Sequence, residues 1–157
     1  MSFLLPIPVK FKLVSGTAEG ETKLTAFDKA ILRAGVGNCN LIKVSSILPP
    51  RCRLDEGIVL PPGALVPVAY GFITSNIPGE VITAAVAVGL AEDPASYGII
   101  MEHSGRVSRA VVEAEIVRMV EEAFACRSLP LKEVLVESTE HQVVKLGCAF
   151  AGVVLWY

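Results

Sequence analysis

Asn38-Cys39-Asn40-Leu41-Ile42-Lys43-Val44-Ser45-Ser46-Ile47-Leu48-Pro49-Pro50 takes the chain from one kind of structure to another. Asn40, Ile42 and Val44 alternate with Cys39, Leu41 and Lys43, which is the period of a strand. A hydroxyl pair, Ser45-Ser46, ends the run, and the double proline that follows cannot continue a sheet ladder. Upstream, Gly35-x-Gly37 lacks the third glycine of a dinucleotide-binding loop and leads into this strand rather than into a helix. Gly35 reads instead as a helix stop and Gly37 as a close approach of backbone.

Working outward, Phe11–Val14 reads as a short strand and Ser15–Thr22 as a polar turn. Thr25 is placed to cap a first helix, with Asp28 at its N3 position, Phe27 and Ile31 at helical spacing, and Gly35 at its end. Residues 47–63 form a loop punctuated by Pro and Gly, and Ala64–Thr74, Val81–Leu90 and Tyr97–His103 follow as a meander of strands. Ser108 opens the longest helix, to about Cys126, with Val111, Ala114, Val117 or Arg118, Val120 or Glu121, and Phe124 along its apolar stripe. Leu131–Glu137 and Cys148–Trp156 complete the strands, and the last is apolar enough to be central and covered on both faces. Two helices among six or seven strands, without βαβ alternation, predict an α+β fold of antiparallel sheets packed with two main helices in one domain spanning 1–157.

Composition narrows the function classes. Hydrophobic residues make up 52% and charged residues 19%, with mean hydropathy +0.56, so part of the surface is expected to be covered in a homo-oligomer. The net charge of −2 is dispersed, which argues against nucleic acid as a partner. The apolar run Val81–Ala91 is too short to cross a membrane as a helix, and Met1–Pro8, with two prolines and no basic start, does not read as a secretory signal. A cytoplasmic location is the expectation. Cys39, Cys52, Cys126 and Cys148 have no paired spacing and the histidines are His103 and His141, so neither a metal site nor a disulfide framework is predicted.

The hydroxyl pair has chemistry of its own. If the turn strains the Ser45–Ser46 peptide, the Ser46 hydroxyl can attack the Ser45 carbonyl and convert the amide to an ester. Elimination then cuts the chain and leaves dehydroalanine at residue 46, which hydrolyses to a ketone, a pyruvoyl group. Such a group supplies the electron sink that decarboxylation of an amino acid requires and that no unmodified side chain offers. In isolation, Ser-Ser before prolines also reads as a strand leaving for a loop.

Other segments, taken with this one, form a pattern. Ser15-Gly16 to Glu21-Thr22, Ala26-Phe27-Asp28, Gly35 to Ile42, Ser45 to Pro50, Pro62 to Pro67 with Ala69-Tyr70-Gly71, Pro78-Gly79-Glu80, Gly98-Ile99-Ile100-Met101-Glu102, Lys145 to Ala151 and Leu155-Trp156-Tyr157 occur in this order over nearly the whole chain. In this the sequence resembles the pyruvoyl-dependent arginine decarboxylase family. The resemblance implies self-cleavage into a β chain of residues 1–45 and an α chain of residues 46–157, a pyruvoyl cofactor made from Ser46 with no metal and no pyridoxal phosphate, and decarboxylation of L-arginine to agmatine. It also implies a trimer of cleaved protomers with sites near subunit contacts.

Individual residues carry two readings each. Glu102 shares a strand face with Ile100, where a partly dry setting would suit a proton donor to the substrate Cα, and the family's donor matches this position; the alternative is a solvated glutamate at a strand end. Asn40 can reach toward the scissile carbonyl as processing support, or be a buried strand asparagine satisfied by backbone. Asp28 is an acidic residue at a helix start, and the resemblance assigns its carboxylate, with Ser45, to substrate binding, where it meets the guanidinium. Two readings compete with the whole: the same chemistry on another amino acid, and an unprocessed, noncatalytic oligomeric domain.

Overall fold

Val81–Ala91 and Gly147–Trp156 are apolar at almost every position because each lies inside a sheet that is covered on both faces. A computed structural model describes residues 5–157, so the reading of Met1–Leu4 as part of a non-signal start lies outside the described residues. The elements run β1 Lys10–Glu19, α1 Lys23–Arg33, β2 Asn40–Lys43, β3 Ile47–Leu48, β4 Arg53–Leu54, β5 Leu65–Ser75, β6 Val81–Ala91, β7 Gly98–Gly105, α2 Arg109–Cys126, β8 Leu131–Gln142 and β9 Gly147–Trp156. They build a five-stranded sheet, β2-β5-β9-β1-β4, and a four-stranded sheet, β3-β7-β6-β8.

The period of two assigns every layer. On β6, Ile82, Ala84, Val86 and Val88 face the other sheet, where they meet Ala149, Ala151 and Val153 of β9. Ala85, Ala87 and Ala91 face outward onto Val112, Ile116, Val120, Ala123 and Phe124 of α2. Cys148, Phe150 and Val154 of β9 likewise face outward, onto Ala26, Ala30 and Ile31 of α1. The order is therefore helix, sheet, sheet, helix, which is the predicted α+β class.

The structure corrects several sequence expectations. Ser15–Glu19 is not a turn but the second half of β1, which pairs with β9 from Lys10↔Trp156 to Glu19↔Gly147. The residues that mimic a turn have other reasons to be there. A Cβ on Gly16 would lie 2.3 Å from the Ala30 carbonyl oxygen, so glycine lets α1 seat on the strand, and the Ser15 hydroxyl donates to Glu137 Oε1 at 2.6 Å across the sheets. The cap of α1 is Thr22 rather than Thr25: Thr25 is the N3 residue and closes a capping box with Thr22. Asp28 consequently sits in the middle of the helix and has no part in its first turn.

Gly35 does end α1, at φ +82°, with Val36 N–H bonded to Ile31 O and Gly35 N–H to Leu32 O, a Schellman closure. Gly37 is a close approach, since a Cβ there would fall 2.5 Å from Leu32 Cα. The loop of residues 47–63 contains β3 and β4, and the five-stranded sheet is mixed, with β2 parallel to β5 and β4 parallel to β1. On α2 the buried stripe is Val112, Ile116, Val120, Ala123 and Phe124, one residue out of phase with the predicted set at its start, so that Val111 stays 43% exposed.

Candidate active site

Ser45 and Ser46 lie where the chain passes from one sheet to the other. β2 belongs to the five-stranded sheet and ends at Lys43, after which Val44 N–H still bonds Val68 O at 3.1 Å. β3 belongs to the four-stranded sheet, and the Ser46 carbonyl already accepts from Ile100 N–H of β7 at 2.7 Å. The Ser45–Ser46 peptide thus spans the gap between two anchored strands. Among the described residues, the non-glycine residues with positive φ are Arg51, at 58° in the turn after Pro49-Pro50, and Ser128, so neither serine adopts the left-handed conformation.

Beside this crossing is a cavity of about 450 Å³ whose wall includes Ser45, Ser46, Val44, Ala69, Ile100 and Glu102. Glu102 lies two residues beyond Ile100 on the same strand face, as the sequence predicts. Across from it, on β5, is Gly71, where a Cβ would be 3.4 Å from that of Glu102; the absent side chain opens the space between the sheet edges. A second cavity of about 290 Å³ adjoins, bounded by Gly71, Phe72, Glu102, His103 and Ser104.

Lys43 borders both cavities, and sequence reasoning missed it. Its ammonium is 2.9 Å from Glu102 Oε1 and 4.9 Å from the centroid of the Tyr70 ring. The dry pocket expected around Glu102 is in fact an ion pair at a cleft mouth, with 36% of the Glu102 side chain exposed. The only signal for Lys43 in the sequence is a cation two residues before the hydroxyl pair, and its partner comes from a distant strand.

Ser46 and Glu102 are brought together within one chain, whereas Asn40 and Asp28 line neither cavity. Asn40 is exposed at the far end of β2, about 20 Å of extended chain from Ser46, and its amide donates to Gly63 O at 3.1 Å. Asp28 is exposed, and its carboxylate has no hydrogen bond or ion pair among the described residues. It shares one face of α1 with Leu24 and Leu32, which are 75% and 53% exposed. Its neighbour Phe27 packs at a tilt against Phe72, a wall of the second cavity, with centroids 4.7 Å apart.

Cys52 and Cys148 do not compete with the serine pair as nucleophiles. Burial pushes Cys148 up to about 12, and burial, partly offset by a hydrogen bond from the Arg53 backbone, pushes Cys52 up to about 11, so both stay protonated.

Comparison with known proteins identifies the family. The sequence profile described as Pyruvoyl-dependent arginine decarboxylase matches residues 10–157. The chain is 46% identical over 151 residues to a pyruvoyl-dependent arginine decarboxylase of Methanocaldococcus jannaschii, covering 96% of this chain and 92% of that one. It is 44% identical over 150 residues to the protein of the same name from Methanothermobacter thermautotrophicus, covering 94% and 97%. Among solved structures, a pyruvoyl-dependent histidine decarboxylase at pH 8 superposes with a TM-score of 0.51 at 15% identity, over 62% of this chain and 52% of that one, a likeness of fold. A profile match over almost the whole length and relatives 44% and 46% identical over nearly all of the chain show where it belongs: it is a member of the pyruvoyl-dependent arginine decarboxylase family.

Proposed function

We propose that the protein cuts itself between Ser45 and Ser46 and, with the pyruvoyl group formed at residue 46, decarboxylates L-arginine to agmatine and carbon dioxide. The observation that carries this reading is the shared cavity of Ser46 and Glu102. The residues present fit such a group: the carbonyl of residue 46 is fixed by Ile100 N–H, a cavity opens beside it, and an acid lies in the same wall. The pyruvoyl group supplies the electron sink for the carbanion left when the carboxylate departs.

The chain's own groups supply the rest. Glu102 returns a proton to the substrate Cα. Ala69 and Ile100 contribute apolar surface to the cavity wall, against which the substrate's methylenes can pack. Asp28 and Ser45 bind the substrate, with the Asp28 carboxylate taking the guanidinium as a bidentate acceptor. Support for Asp28 is its unpartnered carboxylate between two exposed leucines, aliphatic surface suited to a side chain of methylenes ending in a cation. Asn40 supports processing, by stabilising the oxyanion of the acyl shift.

Cleavage would leave the fragments interlocked, because β1 pairs with β9 on one side and β4 on the other, and β2 pairs with β5. We read the active form as a homotrimer in which a neighbouring subunit covers the exposed apolar face of α1, and in which Asn40 and Asp28 reach sites that they do not reach alone. Four free cysteines fit a reducing, cytoplasmic setting. Intact mass of the purified protein under denaturing conditions, with agmatine assayed in parallel, tests the reading. Two fragments and conversion of arginine are expected, and a single chain of full length would overturn it.

A further inference from the structure

The Lys43 ammonium is held from two sides, by the face of the Tyr70 ring and by the Glu102 carboxylate. Lys43 and Glu102 are also the two residues common to both cavities, the one that reaches Ser46 and the one that reaches Phe72 and His103. Their ion pair is therefore the partition between the two spaces. Nothing else fixes the acid: opposite it is Gly71, without a side chain, and among the described residues Lys43 is the polar partner of its carboxylate.

We propose that Lys43 is a positioning residue that aims Glu102, so that the proton returned during arginine decarboxylation goes to the substrate Cα. This rests on the roles of Ser46 and Glu102 given above. After carbon dioxide leaves, the electron pair is shared between the substrate Cα and the carbon contributed by residue 46, and either carbon can take the proton. Protonation at Cα yields the amine. Protonation at the other carbon reduces residue 46 instead: hydrolysis then releases the substrate as an aldehyde, its nitrogen stays on the chain, and residue 46 becomes an alanine with a free amino terminus. The water lost when the amine condenses is regained in that hydrolysis, so the exchange balances. An acid held at the partition favours the first outcome, and one free to swing into the second cavity loses that preference.

The test uses processed Lys43→Met, which keeps an unbranched stem against Tyr70 but removes the charge. The expected result is a fall in kcat of about 10²-fold, the scale for misplacing a reacting group by an ångström, with KM nearly unchanged. Mass and N-terminal sequencing of the α fragment should show alanine accumulating with turnover, and Lys43→Arg should restore kcat and suppress the alanine. A raised KM with kcat retained would make Lys43 a ligand of the substrate and overturn the proposal, as would unchanged kcat without alanine, or a folded Lys43→Met that is never cut. If Lys43→Met does not fold, Glu102→Asp, which draws the carboxylate back from Lys43, is expected to form alanine too, and its failure to do so would overturn the proposal. Wild-type protein that is uncut or inactive on arginine would remove the underlying reading, whereas active wild type beside an indifferent Lys43→Met removes only this one.

Discussion

Ile100 donates its backbone N–H to the carbonyl oxygen of Ser46 at 2.7 Å, so residue 46 is already part of the four-stranded sheet while Ser45 still trails from the other. A break of the peptide between them would leave each new end on its own support. Replacing Ser46 by Ala removes the attacking oxygen and retains this backbone hydrogen bond, so the variant should fold and run as one uncut chain in denaturing electrophoresis. A Ser46→Ala protein that still splits would refute the acyl shift.

Glu102→Gln separates the two reactions. The amide keeps the shape but gives up the acid proton, so cleavage should proceed and turnover should fall by about 10² to 10⁴-fold, the usual contribution of a general acid. Near-normal kcat in fully cut protein would return Glu102 to the role of a solvated strand residue.

Asp28→Asn probes specificity without a confounding loss of the helix cap, because the cap is Thr22. Its melting temperature should match wild type, whereas Thr22→Ala should lose about 1 kcal/mol of stability. For arginine, kcat/KM should fall by an amount equivalent to about 2–5 kcal/mol, the scale for truncating one partner of a buried charge pair. Uncharged amino acids of similar length should be little affected. Unchanged arginine kinetics would remove Asp28 from the substrate site.

Glu19 gives a prediction in pH. Burial acts to raise its carboxyl, but hydrogen bonds from Val144 N–H, from His141 and from the backbone of Lys145 and Leu146 outweigh burial and hold it below its ordinary 4.5. A carboxyl depressed by folding adds stability above its unfolded pKa, and this is lost as the pH falls through the lower folded value. The melting-temperature advantage of wild type over Glu19→Gln should therefore be full at neutral pH and shrink as the solution is acidified below about 4.5. An advantage constant across that range would show that the carboxylate's charge is not what ties β1 to the β8–β9 turn.

Gly16→Ala tests the seat of α1. Its Cβ would meet backbone, the Ala30 carbonyl at 2.3 Å, which cannot rotate away. A loss of about 1–3 kcal/mol in chemical denaturation is expected, the range for overpacking.

The sequence made β6 and β9 legible because strands covered on both faces need apolar residues throughout, and Gly35 was legible because its conformation is local. Elements decided by distant partners were not. Ser15 looks like a turn residue until Glu137, 122 positions away, is seen to accept its hydrogen bond. Val111 and Val112 are adjacent, and only the outward face of β6 decides which of them is buried. β3 and β4 have two residues each, too few to show a period. At the site, the hydroxyl pair and Glu102 could be named, but Lys43 gains its meaning only from a strand in the other sheet.

β1 lies between β9 and β4, and β9 is made well after the serine pair. The β1–β9 ladder therefore cannot exist until residues 147–156 have been made, although Ser45 and Ser46 emerge well before them. A cut made at that time would leave residues 1–45 without the β1–β9 ladder, held by the shorter β1–β4 and β2–β5 pairings alone. If self-cleavage depends on the geometry of the completed sheets, the chemistry acts as a checkpoint in time: a chain acquires its reactive group only after β9 has been made and has joined its sheet.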